Sequence, residues 1–120
     1  MSAQTSFINS LLDAAFRGQT YTGGVMQMGL FRTSLPSAGG TEVSGGSYAR
    51  QTLTFSAASS KSISLTTDVS FTDLPSGQTI VAWGVYDDGV LIDEGTLGTS
   101  FTADTTNNEL EMSYSFSLNA

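Results

Sequence analysis

Four carboxylates are the residues best placed by type and spacing to do chemistry: Asp87 and Asp88 on one side of a tight turn, Asp93 and Glu94 on the other. Two carboxyls roughly 5–10 Å apart in a cleft are what glycoside hydrolysis needs, and clustered acids can hold calcium. The same residues have a plainer use. Asp-Gly favours two-residue hairpin turns, and the Asp-x-Asp-x-Asp-Gly spacing of an EF-hand loop is absent. Turn chemistry and surface charge therefore account for these acids better than catalysis or calcium. Composition removes most other catalytic sets. The chain has no histidine and no cysteine, so no Ser-His-Asp triad, Cys-His pair or standard zinc site can be assembled. No GxGxxG or phosphate-binding loop lies between a strand and a helix. The expectation is a protein that is not an enzyme and takes no cofactor or metal.

The aromatic residues offer a second chemistry. Trp83, Tyr86 and Tyr48 are the residues from which an aromatic platform for sugar could be built. Trp83, however, sits in Ile80–Val85, a run that is apolar on both sides, which predicts a core residue. Tyr21 and Tyr48 lie near or within glycine-rich stretches and are better candidates for exposed contacts. Glu42 and Arg50 flank Tyr48 in one such stretch. Glu42, Tyr48, Arg50 and Tyr21 are the residues expected to touch a partner.

The elements that must position these side chains are mostly short strands. Residues 5–17 predict one helix: Phe7, Ile8, Leu11, Leu12, Ala15 and Phe16 form an apolar stripe. Thr5 or Ser6 is expected to cap its start and Gly18 to stop it. The helix is expected to cover the domain's own core, with docking on a neighbouring subunit as the other reading. Val25 to Phe31 reads as a buried strand. Residues 34–49, rich in glycine and serine, read as a loop longer than the joining of two strands requires, which favours a functional role. From Tyr48 onward apolar residues alternate: Leu53 and Phe55, Ile63 and Leu65, Val69 and Phe71. Thr79 to Tyr86 is the most apolar strand, and Asp87-Asp88-Gly89 turns it back into Val90–Ile92. Leu110, Met112, Tyr114, Phe116 and Leu118 alternate with polar residues, the pattern of a strand with one dry and one wet face. The predicted fold is mainly β: an antiparallel β-sandwich, jelly-roll-like or immunoglobulin-like, with one N-terminal α-helix. A single domain over 1–120 is expected, with the helix at 5–17 and the sandwich at 25–118.

The 120 residues suffice for one packed core. Apolar residues make up 39% and charged residues only 12%, about half the usual charged share. Net charge is −7, and the four basic residues, Arg17, Arg32, Arg50 and Lys61, are scattered. Without a basic patch, binding to nucleic acid or to anionic membrane is not expected. No secretory signal and no membrane helix is expected from the apolar runs, so synthesis in the host cytoplasm is the expectation.

The segment Gly39–Gln51 reads GGTEVSGGSYARQ. It resembles the signature of a family of short virion proteins of tailed bacteriophages, often labelled tail fibre proteins. The resemblance continues in order along the chain: Leu30-Phe31-Arg32-Thr33-Ser34 against the family's LYTS, Thr54-Phe55-Ser56-Ala57-Ala58 against its TF with small residues, Thr67-Asp68-Val69-Ser70-Phe71 against ADVTF, and Ala82-Trp83-Gly84-Val85-Tyr86-Asp87 against its Trp-Gly turn. The family's glycine-rich turn is shortened here to Asp88-Gly89. The resemblance implies a virion component without enzymatic activity. Its partners would be other virion proteins, the major capsid protein or tail proteins, met as a homo-oligomer or in many copies of a symmetric assembly. The expectation drawn from this is a capsid decoration or cement protein, with a tail fibre, tail tip or adaptor subunit as the alternative. A carbohydrate-binding module, which requires an exposed Trp83 or Tyr86, is a third reading.

Overall fold

Met26–Arg32 forms the first long strand because its alternate residues have two different apolar layers to enter. The computed structural model describes residues 2–118; Met1, Asn119 and Ala120, which belong to the expected unit 1–120, lie outside the described residues. The elements run β1 (Ser2–Ala3), α1 (Thr5–Phe16), β2 (Met26–Arg32), a 3-10 turn (Pro36–Ala38), β3 (Thr41–Glu42), β4 (Gln51–Thr52), β5 (Ser62–Ser64), β6 (Val69–Phe71), β7 (Thr79–Asp87), β8 (Val90–Thr102), β9 (Leu110–Met112) and β10 (Ser115–Ser117). The main sheet has the order β1-β8-β7-β2-β3, with β4 also on β2. Two antiparallel pairs, β10-β5 and β6-β9, supply the second layer. The fold is mainly β and antiparallel, consistent with a sandwich and one helix near the N-terminus.

The core lies between the layers. Met28, Leu30, Ile80 and Val85 come from the main sheet, and Val69, Phe71 and Tyr114 from the second layer. Phe71 is 1% exposed, and burying a side chain of that size contributes roughly 1.5–3 kcal/mol. A second, smaller cluster occupies the opposite face of the main sheet, where Phe31, Ala82 and Tyr86 are covered by Leu35 and Leu91. This outer layer explains why residues 34–49 differ from the expected loop. The chain makes a 3-10 turn, pairs Thr41 and Glu42 with β2, and buries Val43 in the main core.

The hairpin β7–β8 follows the Asp-Gly reading. Asp88 and Gly89 have φ of 48° and 83°, the left-handed pair of a type I′ turn whose twist matches the strands. Beyond it, Val90 and Phe101, read as two short strands, belong to one thirteen-residue strand. Register shifts at Ile80/Ala82 and Val85/Tyr86 interrupt its ladder with β7 without ending the pairing. The final segment differs the other way. Read as one strand, it divides at Ser113-Tyr114, pairing with β6 before the break and with β5 after it.

The helix spans Thr5–Phe16 with Gln4 at the N-cap position and no side-chain cap, so neither Thr5 nor Ser6 caps it. Gly18 ends it as expected: at φ of 67° it lets the Gln19 N–H reach the Asp13 carbonyl at 3.2 Å. Only the N-terminal half of the apolar stripe packs. Phe7 meets Tyr21 and Phe116 edge to face, and Gln4 N–H bonds the Ile92 carbonyl at 2.8 Å. Leu12 is 50% and Phe16 83% exposed, so the helix covers its own core through Phe7 and leaves the C-terminal part of the stripe uncovered.

Candidate contact face and aromatic cleft

Three of the four expected contact residues converge on one spot. β3 and β4 pair with the same edge of β2 but leave a gap between them, because Phe31 and Arg32 face β3 while Gln27 and Met28 face β4. In the gap the Leu30 N–H donates to the Tyr48 hydroxyl at 2.9 Å, a side chain standing in for a missing strand. That hydroxyl donates to Glu42 Oε2 at 2.7 Å. Arg50 closes the set with a two-pronged contact, Nε to Oε2 at 3.0 Å and Nη2 to Oε1 at 2.9 Å. The guanidinium also lies over the Tyr86 ring, 3.7 Å from its centroid. Tyr86 in turn stacks on Phe31.

Electrostatics follow from this geometry. Burial works to raise the Glu42 carboxyl, but hydrogen bonds from Arg50 and Tyr48 and the Arg50 charge outweigh it, so Glu42 is held below its ordinary value. The Arg50 guanidinium is raised by its bond to Glu42. Burial, reinforced by the bond to Glu42, pushes the Tyr48 phenol well up. The neutral phenol and charged carboxylate are thus the stable forms across the physiological range.

Two facing glycines make room for the clasp. Gly29 and Gly84 are register partners on β2 and β7. A Cβ on Gly29 would stand 2.8 Å from Glu42 Oε2, and one on Gly84 would stand 3.0 Å from Pro36 Cγ. The glycines open the outer face of the sheet so that Pro36 and the polar ends of Glu42, Tyr48 and Arg50 lie directly on it, while Val43 and the Tyr48 ring pack into the main core. Beyond the clasp, Ser44, Gly45, Gly46 and Ser47 form an exposed tip, held by Ser47 Oγ to Asp73 at 2.7 Å.

Tyr21, the fourth expected contact, lies elsewhere. Its hydroxyl donates to Asp87 at 2.5 Å, and burial together with that bond raises it to about 12. The four carboxylates do not form one cluster. Asp87 also accepts the Gly24 N–H, and Asp88 the Val25 N–H. Asp93 is fully buried on the inner face, where it accepts the Tyr114 hydroxyl at 2.6 Å. Glu94 points to the outer face and bonds the backbone N–H and hydroxyl of Ser37. Period-two alternation separates the adjacent pair Asp93-Glu94 onto opposite faces, and each acid fastens a different piece of chain. Trp83, read as a core residue, is half-buried at the rim of the core. Its ring meets Tyr114 edge to face, 5.4 Å between centroids.

The family model described as Podophage GP4 fiber I protein gp80 matches residues 2–115. The chain belongs to this family. No curated protein matches it. A podophage fibre family is a family of phage structural proteins, which function in contact with other proteins of the virion. In this gp80 family member the glycine-rich segment is an ordered outer layer, with Glu42, Tyr48 and Arg50 bonded to one another. Sequence reasoning missed the Arg50–Tyr86–Phe31 stack and the Asp93–Tyr114 bond. The signal for the first was the pair of small residues, Gly29 and Gly84, interrupting two otherwise bulky strands.

Proposed function

We propose that this gp80 family member is a structural subunit of the fibre of a podophage virion, acting as one unit over 1–120. The observation that carries the reading is the family match over residues 2–115. The elongated shape, 51 × 29 × 24 Å, suits a subunit set lengthwise in a fibre. In this reading the contacts to neighbouring virion proteins run through the outer face built by residues 34–51. Glu42, Tyr48 and Arg50 hold that face rigid and offer their outer edges, the tip at Ser44–Ser47 projects from it, and Tyr21 contributes a separate edge. A face already ordered before assembly loses little conformational entropy on binding.

Copy number and location in purified particles test the proposal. A low copy number, with antibody label on the tail, is the expected result. Hundreds of copies spread over the head lattice would overturn it and leave capsid decoration as the function.

A further inference from the structure

The break between β9 and β10 opens a cleft in the second layer. There the chain leaves β6 and joins β5, and Trp83 of β7 lies at the opening. The cleft has a volume of about 390 Å³ and is lined by Trp83, Tyr114, Asp68, Ser64, Ser113 and Ser115 among others. That volume falls within the range of about 300–1,000 Å³ typical of small-molecule sites.

Three features define the ligand chemistry. First, the indole is set by the backbone beneath it: a Cβ on Gly95, the register partner of Trp83, would stand 2.5 Å from Trp83 Cζ2. The glycine lets the ring lie close over β8, and Tyr114 braces it from the side. Second, the polar groups at the opening are unspent. The Trp83 Nε1–H, the Asp68 carboxylate and the hydroxyls of Ser64, Ser113 and Ser115 make no side-chain hydrogen bond among the described residues, whereas the Tyr114 hydroxyl is committed to Asp93. Third, no cation lines the cleft, and the chain as a whole carries −7. An aromatic ring beside a carboxylate and three hydroxyls suits a molecule with apolar C–H faces and many hydroxyls. The acidic setting disfavours one that carries its own negative charge.

We propose that this cleft binds one or two uncharged sugar units of a glycan, with Trp83 as the stacking platform and Asp68 as the acceptor of sugar hydroxyls. The inference rests on the cleft alone and stands whether the chain sits in fibre or head. Trp83 is the only tryptophan, so its emission reports on the cleft directly. The test is a fluorescence titration of the full chain with neutral gluco-, galacto-, manno- and rhamno-configured di- and trisaccharides, with sialyllactose as the anionic comparison. At least one neutral probe gives a saturable change, sialyllactose gives none, and Asp68→Asn weakens the neutral probe about tenfold at unchanged Tm. Ser113→Ala, on an exposed hydroxyl, weakens it several-fold and guards against a folding effect at a single position. The proposal is overturned by an absence of saturable change with every neutral probe, by equal binding of sialyllactose, or by a folded Asp68→Asn variant with undiminished affinity.

Discussion

Replacing Glu42 by Gln removes the charge on which the clasp between β3 and β4 is built. The side chain loses a two-pronged ion pair with Arg50, whose partners are 29% and 27% exposed, and a charged acceptor for the Tyr48 hydroxyl. Solvent screening limits the ion pair to about 1 kcal/mol, and weakening the phenol bond costs about another 1 kcal/mol. A loss near 2 kcal/mol lowers Tm by roughly 6–12 °C for a chain of this size. Thermal unfolding followed by circular dichroism measures it. Arg17→Ala is the control: its ion pair with Asp13 is long, 3.4 Å, and exposed, so its removal changes stability by less than about 0.5 kcal/mol. The pH dependence provides a second reading of the same contact. Glu42 is lowered from an ordinary 4.5, so its contribution is fully present above pH 4.5 and is lost as pH falls through the lower folded value. Glu42→Gln flattens that part of the acid-unfolding curve. If Glu42→Gln melts with the wild type, or no more than Arg17→Ala does, the clasp is not a stabilising element and the account of the 34–51 face is wrong.

Three other outcomes follow from the same geometry. Tyr48→Phe leaves the Leu30 N–H without its acceptor on a strand residue that is 0% exposed, so it costs about 1–3 kcal/mol in denaturant unfolding. Phe71→Ala empties a fully buried site between the layers and costs about 3–5 kcal/mol by the same measurement. The Tyr21 phenol, raised to about 12 by burial and by Asp87, should remain protonated when an ordinary tyrosine ionises. The contribution of its bond is therefore present below pH 10.0, the ordinary value, and is lost as pH rises through the folded value. Absorbance titration of wild type against Tyr21→Phe should show one late-ionising phenol missing in the variant.

The strands with a single consistent environment were legible in the chain. Met28 and Leu30, Val69 and Phe71, and Ile80 and Val85 alternate or cluster as a sandwich core requires, and Asp88-Gly89 specified its own turn because few other residues accept two consecutive left-handed conformations. The absence of histidine and cysteine limited the chemistry before any fold was known. Pairing partners were not legible. The alternation from Leu110 to Leu118 is the same whether the strand is continuous or changes neighbour at Tyr114, because period two records the face and not the partner. The helix stripe likewise predicts an apolar face but not its cover, and its C-terminal part, with Leu12 and Phe16, stays uncovered. The 34–49 segment looked like a free loop because many of its hydrogen-bond partners, Leu30 on β2, Glu94 on β8, and Asp73 and Gln78, lie far away in sequence.

The glycine-rich segment Gly39–Gln51 by itself determined the family resemblance and singled out Glu42, Tyr48 and Arg50, since charged and aromatic residues are few in so small and polar a stretch. Only the tertiary structure decided what they do. It placed Gly29 opposite Gly84, left a gap between β3 and β4, and thereby brought Glu42, Tyr48 and Arg50 into one hydrogen-bonded clasp. It likewise placed Trp83, read as a core residue, half-buried against the rim of the core, where it lines a cleft together with Ser113 and Tyr114. Both outcomes depend on contacts between residues distant along the chain, which local pattern does not encode.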